Sequence, residues 1–139
     1  LKQLLKAYAA YDKDVAYCQG MNYMMGFLYI NSQDPERSFK LFCKMMVKLR
    51  HLFDNEFKQL KKYFFKFTRI VELFIPDLAE HFKVISHVNV IKAIEEKVES
   101  SFFIAPWFIT AFANAFQYSD RSKFLEKIWD FFLIVNIPD

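Results

Sequence analysis

The sequence predicts an all-α domain of several long helices. Three observations lead there. Gly and Pro are scarce, two and four in 139 residues, whereas strand-rich folds need frequent turn residues. Long stretches carry apolar side chains three or four positions apart, the spacing of one helix face. The breaks between these stretches are few and polar. A chain of this length holds one core, and no repeat, linker or low-complexity segment divides residues 1–139, so the whole reads as a single domain.

Leu1 to Tyr11 forms the first helix, with Leu4, Leu5, Tyr8 and Tyr11 at helical spacing. Asp12-Lys13-Asp14 ends it, and a short polar loop leads to Tyr17-Cys18-Gln19-Gly20. Met21 to Ile30 is apolar nearly all round, as expected of the buried centre of a bundle. Asn31-Ser32-Gln33 is a turn. Asp34-Pro35-Glu36 then starts a helix through Phe39, Phe42, Cys43, Met46 and Leu49. Asp caps, Pro fits the first turn and Glu suits the positive helix end.

Phe53 to Phe74 reads as one amphipathic helix, with Phe57, Leu60, Phe64, Phe67, Ile70, Val71 and Phe74 on its apolar side. Lys58, Lys61, Lys62 and Lys66 are spaced as a solvated face. Pro76 opens a short helix through Leu78, His81 and Phe82, and Ser86 to Val98 holds a turn and a short helix. Phe102 to Phe116 is an uncharged helix with Pro106 in its first turn. Asp120 caps a last helix with Phe124, Leu125, Ile128, Phe132 and Val135 as its apolar positions.

Composition narrows the function classes. A net charge of +3 without a long basic run does not suggest a nucleic-acid binder, and no nucleic-acid partner is expected. Cys18 and Cys43 have no metal-ligand spacing, which fits a reduced, cytoplasmic protein. His51, His81 and His87 lack a ligand set, so no metal is expected. No Gly-rich phosphate cradle exists, so no cofactor is expected either. The uncharged run Ser100 to Ser119 is shorter in its apolar heart than the roughly 20 residues of a spanning helix and contains a proline, so it reads as a core helix. The apolar share of 54% is high for a domain of this size. Either these helices bury each other against parts of a larger domain, or part of the surface is made for a partner. A start without Met and a stop at Ile137-Pro138-Asp139 read as truncation at both ends.

The run Tyr17-Cys18-Gln19-Gly20-Met21-Asn22 resembles the Y-x-Q-G-M-N motif of TBC domains, the helical domains that activate Rab-type GTPases. Further segments match in order. Leu5-Lys6-Ala7-Tyr8 with Val15-Ala16-Tyr17 is similar to the approach to that motif. Asp34 to Phe39 with Phe42 and Met46 resembles the next helix. Ile75-Pro76-Asp77-Leu78 with His81-Phe82 resembles a P-x-L-x-x-H segment. Trp107-Phe108-Ile109-Thr110 with Phe112 resembles a W-F-L-T-x-F helix, and Lys127-Ile128-Trp129-Asp130 with Phe132 the helix after it. The resemblance spans nearly the whole chain, as the central part of such a domain.

The resemblance implies a multi-helix TBC-type domain fragment that stimulates GTP hydrolysis by a Rab-type small GTPase in its GTP–Mg form. Gln19 is then a glutamine finger supplied in trans. Its carbonyl oxygen accepts from the attacking water and its amide donates to the phosphoryl region. Gly20 permits a tight turn and close approach. Asn22 caps the next helix or fixes the loop, and Tyr17 and Met21 anchor the loop in the core. Without the resemblance, Gln19 reads as an ordinary loop glutamine. Asp130 is expected to hold a buried hydrogen bond.

The family also uses an arginine finger in an I-x-x-D-x-x-R motif upstream of the glutamine. No arginine stands among the residues before Gln19. Ile30, Asp34 and Arg37 imitate the motif with the wrong spacing and on the wrong side, so Arg37 reads as a solvated residue. Arg50, Arg69 and Arg121 have no supporting pattern. The fragment alone is therefore expected to be inactive, with the arginine in sequence upstream of Leu1. Two other readings stand beside the activator. One is a catalytically silent TBC-like module that binds a GTPase or another protein. The other is a membrane-associated helical protein. Endomembranes are the expected place of action, reached by peripheral association through the partner rather than by a transmembrane span.

Overall fold

A computed structural model describes residues 1–53, 57–81, 101–116 and 122–134. The regular elements among the described residues are all helical: α1 Lys2–Tyr11, α2 Met21–Ser32, α3 Pro35–Leu49, a 3-10 turn Arg50–Phe53, α4 Lys58–Phe74, α5 over 76–81, α6 Ser101–Ile109, α7 Ala113–Phe116 and α8 Ser122–Ile134. The readings placed on Phe82, Ser86 to Val98, His87, Asp120, Arg121 and Val135 lie outside the described residues.

The start of α3 forms as its sequence dictates. One Asp34 carboxylate oxygen accepts from the backbone N–H of Glu36 at 2.8 Å and of Arg37 at 3.1 Å, and Pro35 sits in the first turn. These bonds satisfy donors that the helix cannot pair internally. Arg37 is exposed, as expected. The turn before α3 is shorter than expected, because α2 continues through Asn31 and Ser32. The Asn31 side-chain amide donates to the Phe27 carbonyl at 2.8 Å, and Gln33 alone leaves the helix in the left-handed conformation, at φ 51°. The Ser32 and Ser38 hydroxyls then lie 2.6 Å apart and close the corner.

The core lies between α2 and α3, with α1 against both. All five methionines of the chain are buried in it: Met21, Met24, Met25, Met45 and Met46. Unbranched thioethers fill irregular space between crossing helices. The Tyr8 ring meets Phe42 edge-on at 4.9 Å, and Phe27 meets Trp129 of α8 in the same way at 4.9 Å. Through Phe64 and Phe67, α4 packs edge-on against Phe108 of α6.

Several positions differ from the sequence reading. Tyr23, Tyr29 and Ile30 are exposed, so α2 buries one face rather than its whole circumference. Tyr11 and Phe124 point to solvent. Phe53 is buried in the 3-10 turn that extends α3, and α4 begins only after Phe57, which is left-handed at φ 51°. Leu60 and Val71 are buried as expected, but Ile70 and Phe74 are exposed. Asp130 is exposed, and the buried hydrogen bond is made by its neighbour: the Trp129 indole N–H donates to the Ala111 carbonyl at 2.8 Å.

The uncharged run is two helices, not one. Helix α6 begins at Ser101, so Pro106 lies in its interior rather than its first turn. The ring removes a backbone donor there, and α6 ends at Ile109. Thr110 binds back, its hydroxyl donating to the Pro106 carbonyl at 2.5 Å and accepting from the Asn114 N–H at 3.2 Å. Ala111 and Phe112 follow at φ 47° and 67° before α7 starts. No helix among the described residues is long and apolar enough to cross a membrane.

Trp129→Phe keeps an aromatic ring in the core but removes the donor to Ala111. It should destabilise the chain by about 1–2 kcal/mol, read as a lower denaturant midpoint at unchanged slope.

Candidate functional site

The loop between α1 and α2 is held at both ends. At the first end stands Asp12. Its carboxylate accepts from the Tyr8 hydroxyl at 3.1 Å, the Val15 N–H at 3.3 Å and the Arg50 guanidinium at 3.0 Å. Arg50 also reaches Asp14 at 3.5 Å. Burial on its own would raise the Asp12 carboxyl, but the Val15, Tyr8 and Arg50 donors outweigh it and hold the group below the usual aspartate range. Burial, and then the bond to Asp12, pushes the Tyr8 hydroxyl up, so it remains a donor. Ala16 continues the loop in the left-handed conformation at φ 54°, with its N–H on the Asp12 carbonyl at 2.8 Å.

At the second end the chain turns into α2. The Met21 N–H donates to the Cys18 carbonyl at 3.2 Å, and the Cys18 N–H points at the Met21 sulfur at 3.4 Å. The buried Met21 side chain thus ties the loop to the core. Burial pushes the Cys18 thiol up, so it is a protonated packing group. Gly20 is buried at the N-cap position with φ 106°. A Cβ there would lie 3.1 Å from the Ile109 carbonyl oxygen and 3.4 Å from the Thr110 methyl. Gly20 therefore rests directly on the break between α6 and α7.

Gln19, between these two anchored ends, is exposed. The residue stands just before the N-terminus of α2, the end whose dipole favours an anion. The sequence-named residues around it divide. Gly20 and Met21 hold the loop from below. Tyr17 is 50% exposed, so it lies on the surface beside Gln19 instead of anchoring the loop in the core. Asn22 is half-buried in the first turn of α2 and does not cap it, because the cap position belongs to Gly20. Sequence reasoning read Asp12 only as a helix end, gave Arg50 no role, and named Thr110 and Trp129 only for their resemblance, so the contacts these four make are found in the structure alone. Arg50 lies 38 residues from Asp12, and no local pattern joins such a pair. Among the described residues, no three of His, Cys, Asp and Glu gather where a metal could bind.

Residues 1–137 match the Rab-GTPase-TBC domain family. The chain belongs to that family. Among similar proteins, the Rab GTPase-activating protein tbc-11 of Caenorhabditis elegans is 30% identical over 118 residues, 84% of this chain and 11% of that protein. GTPase-activating protein GYP5 of Saccharomyces cerevisiae is 30% identical over 139 residues, covering 99% of this chain and 14% of its own length. TBC1 domain family member 1 of Mus musculus is 27% identical over 131 residues, 93% of this chain and 10% of that protein. The chain thus spans a small part of these TBC proteins, and its all-helical fold accords with the family.

Two outcomes follow from the anchors. Gly20→Ala must place a side chain against the Ile109 carbonyl at a positive φ, and should cost about 1–3 kcal/mol in denaturant unfolding. Asp12, with its folded value lowered, binds protons more readily in the unfolded chain. Its contribution is complete above the unfolded value of about 4 and is lost as pH falls through the lower folded value. Wild type should therefore lose stability on acidification through that window, and Asp12→Asn should lose less over the same window while starting from lower stability at neutral pH.

Proposed function

We propose that this chain presents Gln19 in trans to a Rab-type small GTPase in its GTP–Mg form and stimulates GTP hydrolysis. The observation that carries the reading is an exposed glutamine between two fixed loop ends. Family membership and the names of the relatives support it. GTP hydrolysis in such GTPases is slow because the attacking water is loosely held and transition-state charge is little compensated. The Gln19 carbonyl oxygen accepts a hydrogen bond from that water, and the side-chain N–H groups donate towards the phosphoryl oxygens. Anchoring the loop beforehand matters because misplacing such a group by an ångström forfeits much of the effect. Tyr17, half-exposed beside Gln19, and Asn22 at the start of α2 flank the surface the GTPase would meet.

A second reading is a TBC module that binds a GTPase without accelerating it. The observation in its favour is the lack of any arginine before Gln19. Arg50 does not fill the gap, since it is engaged by Asp12 and Asp14. The activator reading takes the arginine from residues other than these 139.

The protein that carries this chain should accelerate GTP hydrolysis by at least one member of a Rab panel. Gln19→Ala should reduce that acceleration by about 10²-fold or more, with binding to the GTP-loaded GTPase retained. Binding without acceleration by wild type would sink the activator reading and favour the silent module.

A further inference from the structure

We propose that the solvent face of α4 docks on an anionic lipid surface. Helix α4 contains five basic residues and one acidic residue, so it carries more positive charge than the whole chain's +3. Lys61, Lys62, Phe65, Lys66, Arg69 and Leu73 are all exposed and fall within about 140° of arc at 3.6 residues per turn. Phe65 is 69% exposed and Leu73 71%. The opposite face, with Leu60 and Val71, is buried in the core. The helix is therefore held lengthwise with its mixed basic and apolar face outward.

The mixture identifies the occupant. Lysine is depleted from protein–protein interfaces, where aromatic and apolar residues cluster without it. Lysines interleaved with Phe and Leu on one exposed helix face match the surface of an anionic bilayer instead. There the ammonium groups meet phosphate and carboxylate headgroups while their stems and the Phe65 ring enter the acyl boundary. Two contacts of this face are seen among the described residues. Lys66 lies 5.5 Å from the centre of the exposed Tyr63 ring, and Glu72 neutralises Arg69 alone, at 2.8 Å.

The test is sedimentation of the protein with phosphatidylcholine vesicles, with and without phosphatidylserine. Binding is expected only to the phosphatidylserine vesicles and should weaken as salt is raised. Lys61→Gln with Lys62→Gln should weaken it roughly thirtyfold, the equivalent of about 1 kcal/mol per basic residue, and Leu73→Ser should weaken it as well. Both variants replace exposed side chains, and circular dichroism checks that they fold. No binding to phosphatidylserine vesicles, equal binding to pure phosphatidylcholine, or an unchanged affinity in the double lysine variant would each overturn the proposal. GTP hydrolysis assayed without vesicles should be the same for wild type and the double lysine variant, so failure here would leave the Gln19 reading untouched.

Discussion

Gly20 sits where α2 begins, and the space its side chain would need is bounded by the Ile109 carbonyl and by the Ile109 and Thr110 side chains. Much of the surrounding structure exists to keep those two surfaces together. Pro106 and Thr110 end α6 at the required point, and two left-handed residues redirect the chain into α7. Trp129, reaching across from α8, fixes the redirected backbone through the Ala111 carbonyl. Distant segments of the sequence thus meet under one loop. A side chain at position 20 would disturb all of them, because close-packed interiors transmit displacement instead of absorbing it.

The two loop ends are secured by different physics. The Asp12 end is polar, with three donors on one carboxylate, and part of its strength depends on charge. The Met21 end is apolar and depends on burial and shape. Between them stands Gln19, with its side chain exposed. Such an arrangement lowers the entropy lost when a side chain is fixed against a partner, since the backbone is already ordered.

The sequence made the helical class, the order of the helices and the glutamine motif legible, because each rests on local signals. The Asp34 cap was readable from three consecutive residues. Element ends were less so where tertiary contacts decided them. Phe102 to Phe116 looked like one helix because apolar periodicity does not register two left-handed residues, and Ala111 and Phe112 do not favour that conformation on their own. Ile70 and Phe74 fit the apolar side of the helix by spacing yet are exposed, because the rule that links hydrophobicity to burial holds in one direction only. Tyr17 misled for the same reason. The Asp12–Arg50 pair was invisible, since its partners meet only after α3 has folded back.

The five methionines buried in the core of α2 and α3 have a chemical consequence. Methionine sulfur is a target of peroxide, and oxidation turns a flexible apolar side chain into a larger polar sulfoxide. At Met21 the oxidised sulfur would lose its present contact with the Cys18 N–H and would need room that a fully enclosed site does not have. The loop carrying Gln19 would be the first part to feel it. Enclosure protects these sulfurs while the fold is closed, so the rate of oxidation reports how often the core opens.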